Sequence, residues 1–379
     1  MSLENKNIEY PKVTTWDVVK EYWKSARKYK VSIFFIVCAS LVTTISQSVI
    51  VPTYYKKFFD VFSYGLEIDS AAALLVHIIL IILGLNLIAW VGHRTTGFLI
   101  AYLEIHVMRD VRQNAFDYIL NHSFNFFTNN FTGSLVQRIN RFTRAFERLA
   151  DRLFFDVIPL IVKVVGAGIV LSFIDRRLAL MLLAWVFVFV LTSYFFNRFK
   201  LKYDIEGAAV DSRATGALSD SISNHNSTQL FTGATSESKR FLKFNNDFLR
   251  IYSKRWYLAE TINAIQALLN FGVEFLIFYY AIAYWETGIV TLGIFALIQG
   301  YVISISGSLW NFGRIVRDLY EATADAKEMV EILHLPHEIK DASHALKLQV
   351  PRGLVEFKNV SFSFGKNEQS KPVFTNLSI

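Results

Sequence analysis

The chain has 379 residues, of which 53% are hydrophobic and 19% are charged, and its net charge is +7. A soluble domain is usually about 45–50% apolar and about 25% charged, so this composition disfavours a soluble globular protein. The positive charge alone would fit a nucleic-acid partner, but its placement follows membrane topology, and we predict no such partner. One cysteine and scattered histidines give no zinc spacing, so no metal site is predicted.

The chain opens with an amphipathic stretch. Trp16, Val19, Tyr22 and Trp23 share one face at helical spacing, and lysines surround that face. The pattern predicts an elbow helix that lies in the inner membrane interface, within an N-terminal segment of residues 1–30. A solvated tail is the alternative interpretation.

Six apolar runs follow, each long enough for the roughly 20 residues that a membrane-crossing helix needs. They predict an all-α polytopic membrane protein, and their number disfavours a soluble protein with buried helices. The predicted spans are Val31–Tyr54, Ala71–Gly97, Phe155–Phe173, Leu178–Phe196, Ile262–Tyr284 and Val290–Trp310.

Basic residues orient these spans. Lys and Arg are concentrated before span one and in the long loops after spans two and four, whereas each short loop has two or none. The positive-inside bias therefore predicts cytoplasmic termini and cytoplasmic long loops, in a plasma membrane. The long loops are helical in pattern: Ser134 and Gln137 have the spacing of a capping box, and Leu135, Ile139 and Phe142 recur every three or four residues. Long cytoplasmic extensions of the spans are predicted.

Polar residues inside the spans are candidates for a functional site, since each is costly in hydrocarbon. Asn263, Gln266, Asn270 and Glu274 of span five are three or four residues apart, so they lie along one stripe. The stripe predicts a face that lines a central, water-accessible cavity. Interhelical hydrogen bonding is the alternative, and the two are compatible.

Glu274 is the sharpest case, because an ionised carboxylate within a span needs a partner, water or a proton. Lys163 of span three is a candidate counter-charge, although its ammonium could instead extend to the inner face, about 12 Å away. Gln299 of span six fits a cavity or close packing. The predicted cavity set is Gln266, Asn270, Glu274, Lys163 and Gln299.

The chain changes character near its C-terminus. Val355, Phe357, Val360, Phe362 and Phe364 alternate as in a half-buried strand, which predicts the opening of a soluble domain that contains β-strands. The predicted divisions are an N-terminal segment at 1–30, a membrane domain at 31–333, a linker at 334–353 and the start of a further domain at 354–379.

Six spans, two long helical loops and a strand-rich C-terminus resemble an ABC exporter half-transporter. Pro52 followed eight residues later by Asp60 is similar to that family's first-span pattern, and Gly293 resembles its glycine at the start of span six. FNFFTNNFTGSL and ISNHNSTQLFTGATSESKRF resemble its two coupling loops. GLVEFKNVSFSF is similar to the first strands of its α/β ATP-binding domain. The resemblance covers about residues 16–379.

The resemblance implies an ATP-driven exporter that works by alternating access, as a homodimer or as paired half-transporters in contact with membrane lipid. Phe364 would stack on adenine, at a position where the family normally has tyrosine. The coupling-loop residues that it implies are Phe126, Phe127, Asn224, His225 and Asn226.

The phosphate-cradling pattern G-x-x-x-x-G-K-[ST] is absent from the sequence, so no catalytic residue is predicted. ATP and Mg²⁺ would be bound by the remainder of a nucleotide-binding domain in a longer product, of which we expect this chain to be the membrane portion. A chain that truly ended at Ile379 would instead be a catalytically inert membrane partner or regulator. A third interpretation keeps the fold but imports the substrate.

Overall fold

The computed structural model describes residues 10–63, 67–286, 288, 290–342, 344–347, 349–350, 353–363 and 372–379. The chain divides into two compact units, Met1–Pro336 and His337–Ile379. The regular elements of the first unit are helices, and the second unit contains a pair of strands.

The described residues of the first unit form twelve α-helices. Their bounds are α1 Thr15–Ala26, α2 Lys30–Ile45, α3 Val51–Val61, α4 Ile68–Leu120, α5 Phe124–Asn129, α6 Thr132–Asp151, α7 Ile158–Ile174, α8 Arg176–Ser223, α9 His225–Leu230, α10 Ala234–Glu286, α11 Leu292–Trp310 and α12 Phe312–Leu333. Six continuous helical runs of 42 to 53 residues are long and apolar enough to cross a membrane, which confirms the six predicted spans. The longest would extend about 80 Å, so the helices continue well beyond the apolar spans, as predicted.

The amphipathic N-terminal stretch forms α1. Thr14 begins it with a capping box, in which its hydroxyl accepts from the backbone N–H of Asp17 and its own N–H donates to the Asp17 carboxylate at 2.9 Å. The predicted apolar face is divided in the structure. Tyr22 is 5% exposed and packs inward, whereas Trp16 and Trp23 are exposed. A short 3-10 turn then joins α1 to α2.

The buried apolar residues of the first unit form separate clusters. One joins α1, α4, α6 and α12 around residues such as Val107 and Phe142. Another joins α7, α8, α10 and α11 around Leu182 and Ile277. The helical extensions of spans two, three and six are therefore packed together, while those of spans four and five pack mainly on each other.

Two π-helical turns interrupt the spans, at Ser46–Ile50 in span one and at Arg152–Val157 before α7. Each is followed within two residues by a proline, which lacks the N–H that a regular α-helix would use at that point. In span one, the carbonyl oxygen of Val49 accepts a 3.0 Å hydrogen bond from the hydroxyl of Tyr301 in span six. Hydrophobic periodicity gave no sign of these turns.

The second unit contains β1, Val360–Ser363, and β2, Pro372–Leu377, paired antiparallel. Phe362 lies opposite Phe374, and their ring centroids are 5.8 Å apart. The predicted strand character of this region is confirmed. Phe364, the predicted adenine-stacking residue, lies outside the described residues.

Candidate functional site

Span one and the start of span six meet at a close contact. Oδ1 of Asp60, a residue only 2% exposed, accepts a 2.8 Å hydrogen bond from the backbone N–H of Gly293. Lys56 Nζ lies 2.7 Å from the other oxygen of the Asp60 carboxylate. A Cβ on residue 293 would lie 1.9 Å from the carbonyl oxygen of Lys56, so this approach requires glycine. Motif residues 233 positions apart in sequence thus form one contact.

Polar side chains of spans five and six face each other within the apolar bundle. Gln299 Nε2 donates to Oε1 of Glu274 at 2.9 Å. Ser306 Oγ donates to Oδ1 of Asn270 at 3.2 Å. All four side chains are half-buried, so the stripe predicted on span five has a matching polar stripe on span six.

Lys163 of span three extends this polar row. Its Nζ donates to Ser308 Oγ at 2.9 Å. Ser308 is nine residues from Gln299 on the same helix, or about 13 Å, and no ion pair joins Lys163 to Glu274 among the described residues. The direct pair that the sequence left open is not formed, because each group has a neutral partner at a different depth. We define the polar seam as Lys163, Asn270, Glu274, Gln299, Ser306 and Ser308.

Gln266, also predicted to line a cavity, lies outside the polar seam. It is 5% exposed, and its Nε2 donates to Ser193 Oγ of span four at 3.0 Å. This is the interhelical hydrogen bond that the sequence left open as the alternative. In this conformation Gln266 therefore holds spans four and five together.

The polar seam contains a buried acceptor with no protein donor. Oε1 of Gln299 is buried and lacks a hydrogen-bond partner, while the amide nitrogen of the same side chain bonds Glu274. An unsatisfied buried acceptor costs about 1–3 kcal/mol unless water or a ligand supplies a donor. Next to a carboxylate, this atom is a place where a donor group from outside the protein would be stabilised.

The short helix α5 lies between α4 and α6 in the first long loop, and we call it the first tip. Phe126 is fully buried there and stacks on His122 with ring centroids 4.2 Å apart, and Phe127 meets Phe126 edge-on. Phe126 and Phe127, the two residues predicted for this loop, therefore pack within the first tip. Phe124 and Phe131 are each 83% exposed and form its apolar surface. Sequence reasoning missed them, because the closely spaced phenylalanines do not indicate which ones face out.

The short helix α9 lies between α8 and α10 in the second long loop, and we call it the second tip. Asn224, His225 and Asn226 are exposed at the start of α9, as residues that dock another domain must be. Leu230 and Phe231 add apolar surface and are 81% and 82% exposed. Leu230 was not predicted, because it follows a polar stretch of sequence and its apolar side chain is the only feature that marks it.

Glu237 braces the second tip from α10. Its Oε2 accepts a 2.8 Å hydrogen bond from Ser221 Oγ of α8, and its Oε1 accepts from Arg240 at 3.1 Å. Both bonds favour the carboxylate, with Ser221 the larger influence, so they hold the pKa of Glu237 below its usual value. The brace lies far from the apolar spans and is intact at neutral pH.

Ion pairs join the helical extensions of spans three and six. We define the ion-pair ladder as three pairs between the α6 side and α12: Arg152 with Asp318, Arg148 with Asp325 and Arg141 with Glu328. Exposed pairs contribute little one by one, but here they flank an interface whose centre is buried. The two extensions are therefore held as one body, with the first tip at one end of α6.

Comparison with known proteins identifies the membrane helices. The sequence model of the ABC transporter transmembrane region matches residues 33–309 of the chain. The chain belongs to this family. Its Pro52, Asp60 and Gly293 are therefore placed within an ABC transmembrane domain, as the resemblance indicated.

Curated ABC transporters match the chain over much of its length. It is 25% identical over 377 residues to ATP-binding cassette sub-family B member 6 of Xenopus tropicalis, covering 93% of this chain and 43% of that protein. It is 25% identical over 405 residues to the mitochondrial iron-sulfur clusters transporter ATM1 of Debaryomyces hansenii, covering 99% and 53%. It is 23% identical over 301 residues to the ATP-dependent lipid A-core flippase of Shewanella denitrificans, covering 79% and 49%. The chain thus spans about half the length of the curated relatives it matches.

A solved structure has the same fold. A bacterial Atm1-family ABC exporter with ATP bound superposes with a TM-score of 0.65 at 18% sequence identity, covering 93% of this chain and 60% of that chain. The ABC transmembrane fold expected from the sequence is thereby confirmed.

Proposed function

We propose that this chain is the membrane part of an ATP-driven transporter that exports a substrate across the plasma membrane by alternating access. The observation that supports this most directly is the polar seam, where Gln299 Oε1 is buried without a donor beside Glu274. A buried acceptor beside a carboxylate and facing a second polar helix leaves bonding capacity for a group from outside the protein. The proposed pathway is lined by Asn270, Glu274, Lys163 and Gln299, and Gln266 joins it if spans four and five separate.

The substrate is not assigned. The named relatives include a transporter of iron-sulfur clusters and a flippase of lipid A-core, which are chemically unlike each other. The polar seam carries one carboxylate and one ammonium group, at depths about 13 Å apart. A substrate with donor groups near Glu274 and an acceptor near Lys163 would match both ends of the seam.

The tips would carry motion to the pathway. The ion-pair ladder joins the extensions of spans three and six, so a displacement of the first tip would move both spans together. Binding of ATP and Mg²⁺ would drive this displacement, because it would stabilise one of two conformations of the transporter. The phosphate-cradling pattern is absent from the sequence, so Phe364 would stack on adenine while residues outside this chain would bind the phosphates and Mg²⁺.

A second half-transporter is part of the proposal, as a homodimer or as a related chain. The extensions of spans four and five expose large apolar side chains that none of the described residues covers. They include Leu201, Ile205, Leu218, Ile222, Leu242, Leu249, Trp256 and Tyr257. Exposed apolar surface on this scale is typical of an interaction face.

Both termini are proposed to be cytoplasmic, because the long helical extensions carry most of the basic residues. Export and import differ only in the side from which the substrate enters. Vesicles of known orientation separate the two, since a substrate supplied with ATP on the cytoplasmic side accumulates in inside-out vesicles only if the transporter exports.

Alternating access can be tested at the polar seam without knowing the substrate. Cysteine is introduced as Asn270→Cys in a Cys38→Ser background of the transporter that contains this chain, and a membrane-impermeant maleimide is added to inside-out vesicles. We expect rapid labelling without nucleotide and a large fall in the labelling rate after trapping with ATP and vanadate. Such a change requires the polar seam to lose its access from the cytoplasmic side.

A matched control lies two residues away. Leu268 is 68% exposed and points to the opposite side of span five, since two residues turn a helix by about 200°. We expect Leu268→Cys to label at a rate that is independent of nucleotide. Labelling of Asn270→Cys that is equally independent of nucleotide would contradict alternating access at the seam.

A further inference from the structure

The helix α1 has an exposed apolar face that the proposed function does not use. Trp16, Val19 and Trp23 are 63%, 46% and 54% exposed. They share one face because they are three and four residues apart. We call these three residues the tryptophan strip. Tryptophans on an exposed helical face are typical of a helix that lies at a membrane–water interface.

Basic side chains border the tryptophan strip. Lys20 and Lys24 are 59% and 61% exposed, and each lies near an acidic residue of its own helix, at 4.0 and 2.5 Å. Arg27 and Lys30 are also exposed, and neither forms an ion pair with a described residue. Residues 14–30 contain five basic and two acidic residues, which leaves a net charge of +3. The border of the strip is therefore cationic.

Continuity of the chain places this face at the membrane surface. The 3-10 turn Arg27–Tyr29 leads directly from α1 into α2, and the apolar run of span one begins at Val31. Trp23 is only eight residues from that point. The tryptophan strip and its basic border therefore lie beside the headgroups of the adjacent leaflet.

We propose that the tryptophan strip and its basic border bind anionic phospholipids. The lipid phosphates would meet Lys20, Lys24, Arg27 and Lys30, while the indoles would insert between the headgroups. A soluble anion would leave the tryptophans in water, and a second copy of α1 would bring two cationic borders together. A phospholipid with net negative charge satisfies the apolar and the charged parts of the face together.

Contacts between α1 and α6 also connect the proposed lipid site to the rest of the protein. On the face of α1 away from the lipid, the Tyr22 hydroxyl donates to the carbonyl oxygen of Phe142 at 2.6 Å, and their rings stack with centroids 4.8 Å apart. Phe142 belongs to α6, which begins at the first tip and carries the ion-pair ladder. Fixing α1 at the membrane would therefore stabilise α6 through Tyr22.

Hydrogen exchange in lipid nanodiscs tests both parts of the proposal, and its readout does not depend on ATP hydrolysis. The transporter is placed in phosphatidylcholine alone or in a mixture with phosphatidylglycerol. We expect the mixture to slow exchange in residues 15–26 by at least about fivefold, which is the contribution of a single basic residue near an anionic surface. Residues 135–146 of α6 should slow to a smaller extent, and high salt should reduce both effects.

Matched variants separate lipid binding from folding. Lys20→Gln, Lys24→Gln and Arg27→Gln together should abolish the effect of phosphatidylglycerol, and glutamine preserves helix propensity. Three lysine-to-glutamine changes on α10, at Lys239, Lys243 and Lys254, should leave the effect of phosphatidylglycerol unchanged. Tyr22→Phe keeps the ring but removes the hydroxyl, so it should retain the slowing in α1 and lose it in α6. Equal exchange in the two lipids would overturn the proposal, and it would leave the alternating-access result at Asn270 unaffected.

Discussion

The two helical arms that extend from the spans of this transmembrane domain differ in how much of their own surface they bury. The first arm consists of the extensions of α4, α6 and α12 together with α1, and it has a continuous buried cluster that includes Val107, Phe142 and Met329. The second arm consists of the extensions of α8 and α10. There Trp256 and Tyr257 are 72% and 74% exposed.

The difference lies in the buried core: the first arm encloses a cluster of apolar side chains, and the described residues of the second arm do not. Three or more helices can enclose side chains between them, whereas two helices leave their outer faces open. Each arm ends in a tip with exposed apolar residues, so both can contact another domain. Both arms also expose apolar side chains along their length, among them Ile105 and Tyr320 on the first and Trp256 and Tyr257 on the second. We propose the flank of the second arm, whose described residues form no buried cluster of their own, as the surface on which a second half-transporter packs.

The largest expected effect tests the core of the first arm. Phe142 is 1% exposed and stacks on Tyr22, so Phe142→Ala should lower the free energy of unfolding by about 3–5 kcal/mol. Trp256→Ala in the second arm should change it by less than about 0.5 kcal/mol, because the indole already faces solvent in one chain. Unfolding of the detergent-solubilised monomer by urea gives both values. Similar losses for the two variants would remove the contrast between the arms.

The next effect concerns association. Trp256→Ala should raise the dissociation constant of the paired half-transporters about tenfold, since large exposed aromatics are frequent hot spots when a partner buries them. Phe116→Ala is the matched change on the first arm, where the ring is 49% exposed. Sedimentation of the two variants over a concentration series measures the dissociation constants. A larger effect from Phe116→Ala would place the partner on the other arm.

A smaller effect is expected from the ion-pair ladder. Arg148 and Asp325 are 41% and 27% exposed, so solvent screens the pair and a double-mutant cycle should give a coupling of about 0.5–1 kcal/mol. Arg148→Met and Asp325→Leu, with the double variant, supply the cycle. The coupling should shrink at high salt. A coupling that is zero at low salt would show that the Arg148–Asp325 pair does not help to hold α6 against α12.

The smallest effect is the response of the second tip to acid. The pKa of Glu237 is lower in the folded protein than in the unfolded chain, so its stabilising effect is present above the unfolded value and is lost as the pH falls through the folded value. Protection factors from amide exchange in residues 221–240 should therefore fall in acid. Glu237→Gln should remove this pH dependence, and Asp247→Gln, a change at a more exposed carboxylate of the same helix, should preserve it.

The sequence predicts the elements of this fold far better than their partners. Apolar runs and helical periodicity are properties of neighbouring residues, so the spans, their extensions and the helix at Thr15–Ala26 could be predicted. The pairing of Glu274 with Gln299, rather than with Lys163, depends on how separate helices pack. Opposite charge suggested the wrong partner because it ignores depth in the membrane.

The same limit applies to single side chains at the tips and on α1. Phe126 and Phe124 are two residues apart and chemically identical, yet one is buried and the other is 83% exposed. Tyr22 was grouped with the tryptophans of α1 by spacing, but its ring is buried against Phe142. A periodic pattern identifies a helical face to within about one residue, and neighbouring helices decide which of its edges is covered.

The π-helical turn at Ser46–Ile50 lets span one pack closely against two neighbouring helices, first span two and then span six. Its additional residue rotates everything that follows by about 100°, because a helix turns by that angle at each residue. Before the turn, span one approaches span two so closely that a Cβ on Gly92 would lie 2.4 Å from Thr43 Oγ1, and after it the close approach is to span six at Gly293. Deleting a single residue from the turn would remove this rotation, and only one of these two faces could then meet its glycine.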